Sequence, residues 1–263
     1  MPGLDPRISG SGAGDTRVKP AYDGFGMEGN VEPTNNEPSM TAPRIGVVSP
    51  TEVAFPTVRA AFAELWPEAE IACQLDQSLY LDFINDDFTI PDPMPAAAYA
   101  RVAALLRYSR DCRIDGIIFC GSVFGRLVEA GREGLDVPVL TSYEGMIEAA
   151  FANGPRMGIL ATAAGTIGCL SDDIERYAAE RGLEYTVSGT VAEGAFETLV
   201  GGDRPGHDDI VVATAETIAD CDSLLLGQFS MGLVPRKITP VAGRPVLTAP
   251  YTAVAKLRAL LVG

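Results

Sequence analysis

Four short segments combine hydroxyl, amide and small residues directly after runs that are typical of buried strands. They are Ser49-Pro50-Thr51, Cys120-Gly121-Ser122, Thr162 to Thr166 and Gly227 to Ser230. Where a helix follows, its exposed N–H groups and its dipole favour an anion, so such segments bind carboxylates without lysine or arginine. Serine and threonine are also ordinary helix caps, but four segments at equivalent positions favour a binding site. The candidate substrate-binding residues are Ser49, Gly121, Ser122, Thr162, Thr166, Gln228 and Ser230.

Cys120 is the candidate catalytic residue. A thiol at a strand end that faces a helix N-terminus can have its pKa lowered, which gives a thiolate near neutral pH. The alternative is a small buried hydrophobic residue, the usual fate of a free cysteine. For the other four cysteines we expect packing roles. They are Cys73, Cys112, Cys169 and Cys221.

The remaining candidates for chemistry are few. The five cysteines include no Cys-x-x-Cys pair, and His207 is the sole histidine. This composition argues against a disulfide framework, a histidine-based zinc site and a Ser-His-Asp triad, so we expect no metal. His207 follows Pro205-Gly206 at the start of a predicted helix and is expected at the surface. Glu144 could supply a proton-transfer group, although an acid early in a helix also complements the helix dipole.

Alternating strands and helices from Arg44 onward must position these residues. Strands are predicted over 45–48, 70–74, 115–119, 138–140, 157–160, 184–187, 223–226 and 245–247. Helices are predicted over 56–66, 96–110, 123–132, 143–151, 167–181, 193–200, 207–220 and 252–261, with an acidic, proline-rich loop over 82–95. Repeated βα units predict an α/β fold with parallel sheets and helices on both faces. Ligands of such sheets bind at the carboxyl ends of the strands.

Two of the predicted strands resemble each other. Asp115 to Phe119 and Asp222 to Leu226 both read Asp, a small residue and three apolar residues, and both precede a turn of small and polar residues. Two similar lobes facing each other across a cleft would explain this repeat. Many buried strands read this way, so coincidence is the competing interpretation.

Charge and hydropathy exclude some partners. Lys and Arg number 20 against 35 Asp and Glu, which gives a formal net charge of -15. A strongly acidic chain repels phosphate backbones, so nucleic acid is not an expected partner. No apolar run approaches the roughly 18 residues that span a bilayer, and the N-terminus lacks a signal-peptide pattern. We therefore expect no membrane partner and a cytoplasmic location.

Residues 1–43 differ in composition from the rest of the chain. They contain seven glycines and six prolines with scattered charges and no periodicity. This composition is typical of a disordered leader.

Several segments carry a resemblance to a known family. They are GVVSPT, DGIIFCGSVFG, VPVLTSYEGM, MGILATAAGT, DSLLLGQFSMG and RPVLTAPYTAVAKLR. In order and spacing, the chain from about Arg44 to its end resembles the aspartate/glutamate/hydantoin racemase superfamily, which includes arylmalonate decarboxylase and maleate isomerase.

The resemblance implies two Rossmann-like lobes related by a pseudo-twofold, with the active site in the cleft between them. The first lobe would span 44–141 and be completed by the last strand and helix, 244–263, and the second would span 142–243. It also implies chemistry on a small carboxylate substrate without cofactor or metal, and a homodimer or higher homo-oligomer.

The chain departs from the family at the decisive positions. Racemases of this group place one cysteine after a strand in each lobe, and the matching residue in the second lobe is Gln228. Glutamine has no titrating proton, so it orients a substrate oxygen but cannot act as an acid or base. In the first lobe, alignment on Phe124-Gly125 places Gly121 at the cysteine position and Cys120 one residue earlier. A one-residue shift at a strand end reverses the side that a residue faces.

Three classes of function follow. The leading hypothesis is a cofactor-independent isomerase, a racemase or epimerase that transfers a proton at the carbon α to a carboxylate of an amino acid or related acid. The alternative is a decarboxylase of a malonate-type acid, for which one proton donor suffices. A third possibility is a carboxylate-binding protein without catalysis. In both enzymes, donors aimed at the developing enediolate would contribute most of the rate.

Overall fold

The buried runs of the sequence form two parallel sheets. The structure is a computed structural model that describes residues 42–85, 90–242 and 244–263, with the side chains of 239–242 left out. Apart from residues 42 and 43, the predicted leader lies outside the described residues. The first sheet contains β1 (Arg44–Ser49), β2 (Glu70–Leu75), β3 (Gly116–Phe119) and β4 (Val139–Leu140). The second contains β5 (Arg156–Ala161), β6 (Thr186–Val191), β7 (Ser223–Leu226) and β8 (Val246–Thr248).

Helices connect these strands. The first half of the chain contains α1 (Phe55–Leu65), α2 (Ser78–Phe83), α3 (Ala96–Asp111), α4 (Gly125–Gly131) and α5 (Glu144–Asn153). The second half contains α6 (Ala164–Arg181), α7 (Ala195–Val200), α8 (Arg204–Thr217), α9 (Pro235–Ala242) and α10 (Ala249–Val262). Helices lie on both faces of each sheet, as the βα pattern predicts.

The two halves repeat one topology. The strand orders are β2-β1-β3-β4 and β6-β5-β7-β8, and every pair is parallel. The predicted fold class, two Rossmann-like lobes built on parallel sheets, is confirmed.

The two similar Asp-led strands occupy equivalent places. A carboxylate oxygen of Asp115 accepts a hydrogen bond from the backbone N–H of Arg44 at 2.7 Å, and Asp222 does the same for Arg156 at 2.9 Å. Each aspartate therefore fastens the start of the central strand beside it. The repeat in the sequence corresponds to the same contact made in each half.

The last strand corrects one expectation. It was expected to return to the first lobe, but β8 pairs with β7 in the second sheet. The reason lies in the repeat, because Pro245-Val246-Leu247-Thr248 takes beside β7 the place that Pro138-Val139-Leu140-Thr141 takes beside β3. The helix α10 that follows does pack against α1 and β3 of the first half.

Apolar side chains of both sheets share one core. Ile45, Val47 and Ile118 of the first sheet belong to the same buried cluster as Ile159 and Leu225 of the second. Residues of α1, α5, α6 and α10 complete this cluster between the sheets. Separate clusters bury the outer faces, under α3 and α4 in the first half and under α8 and α9 in the second.

The structure contains two helices that the sequence pattern did not predict. Helix α2 overlaps the start of the predicted loop. It buries Leu79, and Arg101 of α3 forms ion pairs with Asp76, just before α2, and with Asp82 inside it. Helix α9 begins at Pro235, a position where the missing N–H of proline costs nothing.

One strand was misplaced. β6 covers Thr186–Val191 rather than 184–187. It is a half-exposed strand at the edge of the sheet, and its polar residues give no clear apolar pattern from which its bounds could be predicted.

Candidate active site

Equivalent turns leave the carboxyl ends of β3 and β7. Each is a 3-10 turn, Ser122–Phe124 after β3 and Phe229–Met231 after β7. The residue before each turn has an extended backbone, with φ −132° at Gly121 and −115° at Gln228. The strand registers agree, since Phe119 pairs with Val48 as Leu226 pairs with Leu160. Gly121 is therefore the counterpart of Gln228.

The side chain of Cys120 lies in the core between the sheets. It is 5% exposed, and its sulfur is 4.0 Å from the carbonyl oxygen of Ile118. Burial, with a smaller effect of Cys73, raises the pKa of the Cys120 thiol well above its usual value. The expected lowering of this pKa is wrong, because the thiol is surrounded by apolar side chains. At neutral pH it is protonated, and the geometry gives no support to it as a base.

In the second half, three predicted site residues lie together. The amide oxygen of Gln228 accepts from the backbone N–H of Thr162 at 3.0 Å, and its nitrogen donates to the hydroxyl of Thr166 at 3.2 Å. Both threonines are buried. Gln228 thus joins the end of β5 to the first turn of α6.

Ser122 lies where the two halves meet. Its side chain lies beside Tyr80 and Tyr143 and lowers the pKa of both hydroxyls, against the larger effect of burial. The Tyr143 hydroxyl also donates to the carbonyl of Gly227 at 2.8 Å, across to the turn after β7. Burial raises the pKa of Tyr80 to about 12 and that of Tyr143 well above its usual value. Sequence reasoning missed both tyrosines, although Tyr143 follows the strand end Leu140 by three residues.

The other two predicted serines lie in the turns after β1 and β7. The Ser49 side chain donates to the carbonyl of Thr51 at 2.7 Å and accepts from its N–H at 3.2 Å, which fixes the turn after β1. Ser230 is buried, and its carbonyl accepts from Arg204 at 3.0 Å.

A cavity of about 410 Å³, hereafter the central cavity, opens beside Ser122. One side is formed by the segment Ile90–Met94, Tyr99 and the segment from Ser122 to Leu127 without Phe124, all from the first half. The other side is formed by α6, through Gly165, Gly168, Cys169, Asp172 and Asp173. Of the predicted site residues, all of which the structure describes, Ser122 alone lines it.

Cys169 and Asp173 are half-buried titratable groups that line this cavity. They lie one turn apart on one face of α6. Burial raises the pKa of Cys169 to about 12, and nearby Asp173 and Asp172 add to the effect. Burial also raises the pKa of Asp173 to about 6, against the opposing charge of Arg176. Cys169 was expected only to pack. Asp173 was missed because it lies well inside α6, away from the end of β5, where no strand-end signal marks it.

Glu144 and His207 have structural partners. Glu144 accepts from Arg132 at 2.7 Å and from the N–H of Thr141 at 3.2 Å, so it holds the start of α5. His207 was expected at the surface, but it is fully buried, and its Nδ1 lies 2.9 Å from the carboxylate of Asp208. The expectation is wrong because α8 begins at Arg204, capped by Asp203, so His207 lies inside the first turn and is buried.

Within the described part of the chain, no group of three or more His, Cys, Asp or Glu side chains could hold a metal ion. In the same residues, none of the helices has the length and apolar character needed to cross a membrane.

Comparisons with known proteins agree with this architecture. The family model described as Asp/Glu/Hydantoin racemase matches residues 44–257. Among curated proteins, no sequence matches the chain significantly.

Solved structures match over most of their length. Allantoin racemase from Klebsiella pneumoniae has a TM-score of 0.62 at 19% identity, covering 84% of this chain and 88% of its own. Glutamate racemase from Francisella tularensis in complex with D-glutamate has a TM-score of 0.60 at 16% identity, covering 85% and 82%. Arylmalonate decarboxylase has a TM-score of 0.55 at 18% identity, covering 84% and 93%. At these identities the likeness establishes the shared fold.

Proposed function

The chain belongs to the Asp/Glu/hydantoin racemase family, and we propose from this premise that it is a cofactor-independent racemase or epimerase of a small carboxylate. The reaction would transfer a proton at the carbon α to the carboxylate. The substrate would occupy the central cavity, which opens beside Ser122, just past the end of β3.

One observation carries this proposal. Side chains able to transfer protons line the central cavity from both halves of the chain, Asp92 and Tyr99 on one side and Cys169 and Asp173 on the other. Inversion at a carbon needs one group to remove the proton and a second to return it on the opposite face. A cavity bounded on two sides by such groups meets this requirement without the paired thiols.

The other predicted site residues fit supporting roles. Ser122 would donate to the substrate carboxylate, and Arg126, which also lines the cavity, would pair with it. Gly121, next to Ser122, leaves room for the rings of Phe119 and Phe124. Gln228, through Thr162 and Thr166, would fix the first turn of α6. Ser49 and Ser230 would hold the turns after β1 and β7. Fixed donors of this kind stabilise the enediolate because they need not reorient during the reaction.

Proton exchange in D₂O tests the proposal. The protein would be incubated near neutral pH with D- and L-amino acids, hydantoins including allantoin, and substituted malonates, and followed by ¹H NMR. We expect one substrate to lose its α-proton signal while its opposite enantiomer appears. No exchange and no consumption of any panel member would contradict catalysis and leave a carboxylate-binding protein.

A variant that fills the cavity, compared with a matched control variant, tests where the substrate binds. Gly168 lines the cavity, and a Cβ placed there would have no atom within 4 Å. Gly168→Phe should therefore fold and block substrate, whereas Ala179→Phe, on an exposed position of the same helix, should leave turnover unchanged. Equal activity in the two variants would show that substrate binds elsewhere.

A decarboxylase of a malonate-type acid is the second candidate. The observation that favours it is the pair Gly121 and Gln228, because neither equivalent strand end carries a titrating side chain. Loss of CO₂ leaves a carbanion that needs one proton donor on one face. In the same experiment, consumption of a malonate and formation of a monodeuterated product as a single enantiomer would establish this activity in place of racemisation.

A further inference from the structure

Asp173 is held in a defined orientation at the wall of the central cavity. One carboxylate oxygen, Oδ1, accepts from the guanidinium of Arg176 on the next turn of α6. The other, Oδ2, faces Gly125, where an added Cβ would lie 3.2 Å from it. The side chain is 13% exposed. Because one oxygen is bonded to Arg176 and the other lies against Gly125, the carboxyl has a defined orientation.

The surroundings of this carboxyl connect the two halves. Arg176 also pairs with Glu129 of α4, with Nη1 2.6 Å from the carboxylate. Burial has the largest effect on the pKa of Asp173 and raises it, Arg176 and Arg126 lower it, and Glu129 raises it. The resulting value of about 6 leaves both protonation states accessible near neutral pH. Cys169, the other half-buried titratable group of this wall, remains protonated there.

We propose that Asp173 is the proton-transferring group on the second-half side of the cavity, in the role that a thiol has in the racemases of this group, and that Arg176 positions it. This inference rests on the function proposed above. The Asp173 carboxylate takes the α-proton while the C–H electron pair moves into the substrate carboxylate to form an enediolate. A protonated group on the opposite face then returns a proton to the carbon. Water exchange deprotonates Asp173 and reprotonates that group.

The first test removes the carboxylate and preserves its shape. With the panel member that the wild type exchanges fastest, Asp173→Asn should lower kcat by about 100- to 10,000-fold, with KM changed little. Glu175→Gln, an exposed acid on the same helix, is the control and should match the wild type. Wild-type kcat in Asp173→Asn would overturn the inference while leaving the proposed function intact.

The second test separates catalysis from a merely structural ion pair and does not require Asp173 to be replaced. The pH profile of kcat should fall below about pH 6, where Asp173 becomes protonated. Arg176→Gln removes a charge that lowers the pKa of Asp173, so the acidic limb of the profile, where kcat falls, should move to higher pH. Glu129→Gln removes a charge that raises it, so the limb should move to lower pH. A limb that stays fixed in both variants would overturn the inference. If the wild type exchanges the α-proton of no panel member, the proposed function is overturned, and the inference about Asp173 falls with it.

Discussion

At the scale of single residues, two glycines of the site have opposite surroundings. Gly121, the counterpart of Gln228, is enclosed, and an added Cβ would lie 2.8 Å from Phe119 and 2.9 Å from Phe124. Both rings are fully buried. Gly168, inside α6, borders the open cavity. One glycine is therefore required by packing, whereas the other keeps space free for a ligand.

Alanine at these two positions should change stability in opposite directions. Gly121→Ala should lower the free energy of unfolding by about 1–3 kcal/mol, because the two rings cannot move away without repacking. Gly168→Ala should raise it by about 0.5–1 kcal/mol, because alanine favours a helix and meets no atom. Urea denaturation measures both, and changes of the same sign would contradict the described packing.

Asp173 should give a pH-dependent stability that is independent of substrate. Its pKa is raised from its ordinary 3.8 to about 6 in the folded chain, so the folded state holds the proton more tightly than the unfolded state. The stabilisation is complete below about pH 4 and is lost as pH rises through about 6, by up to about 3 kcal/mol. The difference in unfolding free energy between wild type and Asp173→Asn should shift accordingly between pH 4 and 7. A difference that is constant with pH would place this pKa near its ordinary value.

At the scale of elements, two helices of the first half hold the turn after β7. The Tyr143 hydroxyl, at the start of α5, donates to the carbonyl of Gly227, and the Thr57 hydroxyl of α1 donates to that of Phe229 at 2.7 Å. Both side chains are fully or almost fully buried. These bonds fasten the turn after β7 to α1 and to the residue before α5.

Removing one of these hydroxyls should loosen the contact between the halves. Tyr143→Phe keeps the ring but leaves a buried carbonyl unpaired, so it should cost about 1–2 kcal/mol of unfolding free energy. Tyr108→Phe is the control, since Tyr108 is 62% exposed, and should change stability by less than about 0.5 kcal/mol. Thermal and urea denaturation provide the measurement, and equal effects in the two variants would be inconsistent with the bond.

At the scale of the molecule, the part of the chain from Arg44 onward repeats one unit, and most of that unit could be predicted. Central strands such as β3 and β7 are continuous apolar runs because helices cover both of their faces, and their leading aspartates indicated the repeat. The edge strand β6 was misplaced because it is polar and half exposed.

The candidate site was predictable only in part. Ser122 was identified because strand ends mark ligand positions. Predicting Asp173 would have required knowing which side of α6 faces the cavity. That rotation is set by packing between the halves. The same packing buries Cys120, which sequence position alone made the best candidate.

Arg176 pairs with Glu129 on α4 and with Asp173 on α6, so helix separation and proton affinity are coupled. A ligand that drew α4 and α6 together would dehydrate Asp173 further, which raises its affinity for a proton, while Glu129 and Arg126 of α4 would approach it with opposite effects. Binding would then be accompanied by net proton uptake, and a ligand that separated the helices would release protons. The affinity of the cleft would therefore depend on the acidity of the medium even for a ligand that does not itself titrate.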